Sequence, residues 1–243
     1  MSMNLSQVPA ADSQDSNPGH DPALSRMQAL IQQWEAGSDH RAVFLSCYLM
    51  MTRNMLDSIR HDGFHDAAWV DALLHRFADY YFNALDIYER DVSLAPPVWQ
   101  MAHNAAIRAE GLPLQELLLG VNAHINYDLV LSLVDLLQPE WEHLNEEQRA
   151  ARYSDHCRVN EVIGSTIDAV QDQVLEPVMP GMDIIDRLMG SLDEKLISHL
   201  LSDWREQVWQ NVTLLLQATD ADERTRILNH VEENALRLGR LIA

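Results

Sequence analysis

Residues 113–137 read PLQELLLGVNAHINYDLVLSLVDLL, the most apolar stretch of a 243-residue chain. It is apolar on nearly all faces, so it is expected to be a central helix wrapped by others rather than a surface helix with one buried stripe. Two residues interrupt the hydrocarbon. His124 and Asp128 are four apart, so they project from one face, one turn above the other, beside Leu117, Val121 and Leu131. A histidine and a carboxylate in such a helix must satisfy each other, meet other buried polar groups or hold a metal. Asn122 and Asn126 lie on the opposite side, where Asn126 is expected to bond a neighbouring helix.

Outward from this stretch, helical periodicity continues in both directions, and no segment alternates as a strand would. Helices are expected at about 23–36, 39–60, 67–90, 97–110, 113–137, 149–176, 183–190, 193–217 and 221–241. Gly37, Gly111 and Pro177 serve as stops, and Ser38, Asp39 and Asp66 as caps. The fold class is therefore all-α, a single bundle of seven to nine helices over 23–243. Residues 1–22, rich in Ser, Asp, Asn, Gln and Pro, read as a disordered lead-in without the basic start and apolar run of a signal peptide.

Composition narrows the function. There are 37 acidic residues against 17 basic ones, a formal charge of −20, which argues against nucleic acid or an anionic membrane as partner. No run approaches ~18 consecutive apolar residues, so no membrane span is expected. Two cysteines, Cys47 and Cys157, cannot form a disulfide framework or a thiolate zinc cage. They read as inert thiols in a cytoplasmic, reduced chain. Nucleophile elbows, glycine-rich phosphate loops, H-E-x-x-H and C-x-x-C motifs are all missing, as are the paired E-x-x-H motifs of di-iron bundles. A small-molecule substrate or ligand is the expected partner, with a homodimer as a further possibility.

A second polar pair, His156 and Asn160, repeats the i,i+4 spacing on the helix near 149–176, with Asp155 on the other flank of its apolar stripe. If this helix packs face to face with 113–137, His124, Asp128, His156 and one of Asp155 or Asn160 converge. Two imidazoles with carboxylate or amide oxygens suit Zn, Mn or Fe, with an open position for a water. His103, flanked by apolar residues one hairpin earlier, is a further candidate ligand. In the plainer alternative, His124 and Asp128 are internal glue that fixes helix register. The stripe of Tyr48, Met50, Met51, Met55, Phe77, Tyr80 and Tyr81 is expected in the core, where it can also wall an apolar pocket.

The segments FLSCYLMMTRNM (44–55), FADYYFNAL (77–85), PPVW (96–99), GVNAHINYDL (120–129) and DHCRVNEVI (155–163) resemble an uncharacterised all-helical bacterial family, over roughly residues 40–217. That resemblance implies a helical fold and no settled activity. HINYD and HCRVN are also similar to the helical HxxxD and HxxxE elements of the zinc-dependent phospholipase C and single-strand nuclease superfamily. Asn160 replaces the acidic residue, no histidine follows closely after Asp128, and no N-terminal Trp is evident. The resemblance therefore implies a reduced site of one or two metals. ALDIYERD, with Asp86, Glu89 and Asp91, is faintly similar to the metal motif of helical terpene cyclases, whose second motif the Asn160–Asp168 stretch matches only with the wrong spacing. The expected function is a metal-dependent hydrolase acting on an ester or phosphoester. The alternatives are a helical module that binds a small apolar ligand or a protein, and a biosynthetic cyclase or iron-dependent oxygenase.

Overall fold

The computed structural model describes residues 21–61, 63–179 and 194–243. Among these residues the chain is all-helical. We number the helices α1 (Pro22–Ala36), α2 (Arg41–Arg60), α3 (Ala67–Arg90), α4 (Pro97–Arg108), α5 (Pro113–Leu137), α6 (Glu146–Val170), α7 (Glu194–Gln217) and α8 (Ala221–Ile242). The helix expected at 183–190 and most of the expected N-terminal tail lie outside the described residues.

Short polar side chains start α1, α3, α6 and α8 by accepting N–H groups that the first turn leaves open. Asp21 accepts from Ala23 and Leu24, so Asp21 and Pro22 belong to α1 rather than to the lead-in. Asp66 accepts from Trp69, and Asp220 from Glu223. Asn145 and Gln148 form a reciprocal capping box that starts α6 three residues earlier than the apolar periodicity indicates. Between α1 and α2, Ser38 takes a positive φ of 54° and Asp39 accepts the Arg41 N–H.

The central position expected for α5 is observed. It packs against α2, α3, α4, α7 and α8. By length and composition α5 is apolar enough to cross a membrane, but 72% of its most apolar window is buried inside the bundle, so its hydrocarbon serves the core.

α5 is continuous but not uniform. His124–Asp128 forms a single π-turn, in which the Leu129 N–H reaches back five residues to the His124 carbonyl. A second π-turn, Gln171–Leu175, prolongs α6. Such one-turn bulges occur often at functional sites. Two apolar clusters make up the core. One gathers around Phe44, Tyr81, Trp99 and Leu119, the other around Leu73, Leu129, Leu133 and Val208.

Candidate functional site

His124 and Asp128 meet, as their spacing requires. Nδ1 of His124 lies 3.0 Å from a carboxylate oxygen of Asp128, and both side chains are almost completely buried. The indole N–H of Trp99, on α4, donates to both Asp128 oxygens at 3.1 and 3.0 Å. The imidazole is fixed by aromatic rings as well. Phe77 stacks on it with centroids 3.5 Å apart and planes 8° apart, and Tyr48 meets it edge-on at 4.3 Å. Burial pushes His124 well below its ordinary pKa and lifts Asp128 well above the usual carboxylate range, against the Trp99 hydrogen bond that lowers it. Each partner is driven toward its neutral form.

The other ring nitrogen, His124 Nε2, is buried and has no partner among the described residues. The same holds for the hydroxyl of Tyr48. Both residues line a cavity of about 200 Å³ at the junction of the two core clusters. Helices α2, α3, α5, α6 and α7 wall it, almost wholly with hydrocarbon, through residues such as Met51, Leu73, Leu117, Ile163 and Leu201. Of the expected Met and aromatic stripe, Tyr48, Met51, Met55 and Phe77 reach this wall, while Met50, Tyr80 and Tyr81 do not. Both π-turns contribute to the lining, through His124 and Ile125 and through Gln171 and Leu175.

The four-residue metal centre expected from the sequence is not assembled. α5 and α6 do not pack closely on each other. α2 and α7 pack against both, and the cavity occupies the space between them. His156 turns to α7 instead. Its Nε2 donates to the Arg205 carbonyl at 3.0 Å, and its Nδ1 faces the Arg205 guanidinium at 3.3 Å, so both nitrogens are engaged. Asn160 Oδ1 accepts from Arg205 Nε at 2.8 Å. Asp155 binds the backbone N–H groups of His65 and Asp66 at 2.7 and 2.9 Å and so anchors the turn before α3. Among the described residues, no three His, Cys, Asp or Glu side chains gather in a way that could hold a metal ion.

His103 is buried on α4, stacked against Trp99 at 5.0 Å, and its Nε2 has no partner among the described residues. Burial pushes its pKa down to about 3. The unfolded chain takes up a proton here below about pH 6.5 and the folded chain does not, so this residue contributes stability that is lost as the pH falls from there. His103→Phe keeps the stacking and removes the orphaned nitrogen. Urea unfolding is expected to show unchanged or higher stability at neutral pH. Below about pH 6, the loss of stability is expected to be shallower than in the parent by about 1.4 kcal/mol per pH unit.

A family model described as Family of unknown function (DUF5995) matches residues 21–243. The chain belongs to this family. No curated protein and no solved structure matches it significantly. Membership in DUF5995 agrees with the expectation of a family without a settled activity, and it leaves the chemistry to be read from the cavity.

Three residues of the site were not singled out from the sequence. Trp99 stands in the PPVW segment with nothing to mark it as a donor to Asp128. Gln171 belongs to a π-turn, which has no residue signature. Arg205 did leave a signal, because it sits four residues after Leu201 and one after Trp204, on the apolar face of α7.

Proposed function

We propose that this protein binds a small, mostly apolar molecule in the cavity between α5 and α6, oriented by a hydrogen bond at His124 and Tyr48. The observation that carries this reading is the pair of orphaned, buried polar atoms, His124 Nε2 and the Tyr48 hydroxyl, on residues of an otherwise apolar wall. Buried polar groups are nearly always satisfied, and a convergent polar point in an apolar pocket is how ligands are oriented. The size suits a ring or a short acyl chain, since dry apolar cavities of about 150 Å³ already take up benzene.

Among the described residues the wall offers no activated nucleophile. The Thr52 hydroxyl is tied to the Tyr48 carbonyl at 2.8 Å, and burial pushes the Cys47 thiol up to about 12. A metal-assisted hydrolase needs three or four donors on one point, and the engaged nitrogens of His156 work against that reading.

Toluene and octan-1-ol are expected to raise the melting temperature of the protein in proportion to the logarithm of their concentration. Ile163→Phe and Ile167→Phe fill the cavity from α6. They are expected to weaken binding of both compounds at least about tenfold, with stability unchanged or raised by about 0.5–2 kcal/mol. Absence of binding to the parent protein, or unchanged binding to both filled variants, rejects the reading.

A further inference from the structure

Arg205 is a cation inside the core. It is 4% exposed, and burial depresses its pKa to about 10. Its Nε donates to Asn160 Oδ1 at 2.8 Å, and one Nη donates to the His156 carbonyl at 2.7 Å. The other Nη has no protein acceptor among the described residues. No carboxylate among them lies within ion-pair distance of the guanidinium, although the chain carries 37 acidic residues. A buried charge without a counter-charge costs several kcal/mol, so buried guanidinium groups are as a rule paired.

Arg205 also lines the cavity, whose wall contains no Asp, Glu or Lys among the described residues. His156, expected as a metal ligand, and Asn160, expected to complete or orient the shell around that metal, form a neutral cradle that fixes the guanidinium. The imidazole donates to the Arg205 carbonyl and turns its bare Nδ1 toward the guanidinium, and the Asn160 amide oxygen holds Nε. Two side chains and a backbone carbonyl thus hold one positive charge beside hydrocarbon in a protein of formal charge −20. The unengaged Nη keeps its two N–H groups for an acceptor, and a carboxylate is the charge-assisted partner that suits them.

We infer that the ligand is an apolar carboxylate, an acyl or aryl acid, whose anionic head supplies the missing partner of Arg205. This inference rests on the cavity reading above and sharpens it. The apolar part of the ligand fills the space between α5 and α6, and the head meets the guanidinium.

Isothermal titration of the full-length protein with octanoate, octan-1-ol, methyl octanoate and octylamine tests this. Octanoate is expected to bind at least about tenfold more tightly than octan-1-ol or methyl octanoate, as a charge-assisted hydrogen bond provides, and octylamine most weakly. In Arg205→Met, octanoate is expected to fall to the level of octan-1-ol, whose own affinity stays within about twofold. Arg205→Lys keeps the charge and is expected to retain part of the preference. The comparison of ligands on the parent protein needs no variant, so a misfolded Arg205→Met leaves the test intact. Equal binding of octanoate and octan-1-ol overturns the carboxylate assignment and leaves the cavity reading standing. Failure of every compound to bind overturns both.

Discussion

Asp128→Ala is expected to destabilise the protein by about 3–5 kcal/mol, as orphaning two buried polar groups and leaving a small cavity do. The carboxylate accepts from Trp99 Nε1 and contacts His124 Nδ1, and it lies in a fully buried position. Removing it leaves both groups buried without partners, each at about 1–3 kcal/mol, and leaves the volume of the carboxyl empty. In a chain of this size each kcal/mol moves the melting temperature by about 2–4 °C, so a fall of about 10 °C is expected. His124→Leu combined with Asp128→Leu removes one of the orphaned groups and refills the space. The double variant is therefore expected to be more stable than Asp128→Ala, and its departure from the sum of single His124→Leu and Asp128→Leu measures how far the two residues act as one unit. If Asp128→Ala unfolds within about 1 kcal/mol of the parent in urea, the carboxylate is not the anchor described here.

The same pair shows what could be read from the sequence. An imidazole and a carboxylate four residues apart on an apolar helix had to touch, and they do. The central place of α5 followed from apolar residues on every face, and the limits of α3 followed from Asp66 and the run of aromatics after it. Helical period also put His156 on a buried face. It could not say which helix that face meets. Asp155 and His156 turned to backbone N–H groups and to Arg205, which are partners as good for them as a metal, and no spacing rule distinguishes the two.

The π-turns escaped for another reason. An inserted residue shifts the phase of every later position, so 100° steps that are right up to His124 fail beyond Asp128. Leu131, placed on the His124 face by those steps, does not line the cavity, whereas Leu129 does and is 1% exposed.

Gly120→Ala is expected to lower stability by at least about 2 kcal/mol, against the gain of up to about 1 kcal/mol that the same change brings in an ordinary helix interior. A Cβ at position 120 stands 2.6 Å from Cδ2 and Cγ of Phe44 and 3.0 Å from its Cβ. These atoms are close to the α2 backbone, so the clash cannot be relieved by swinging the end of a long side chain. α2 itself has to move. Phe44 in turn holds Tyr81 at 5.5 Å, Trp99 at 5.6 Å and the His124 ring at 5.9 Å, so a displaced α2 disturbs the aromatic setting of the polar pair and one wall of the cavity. Gly164→Ala is the control. The nearest atom to its added Cβ is Ser198 Oγ at 3.6 Å, an ordinary contact, and this variant is expected to be as stable as the parent or more so. Phe44→Leu introduced beside Gly120→Ala frees the crowded space, so the double variant is expected to lose less than the sum of the two single changes. A Gly120→Ala protein that melts at the parent temperature, with octan-1-ol affinity intact, shows that α2 and α5 can part without cost. Close approach at Gly120 then does not set the shape of the cavity.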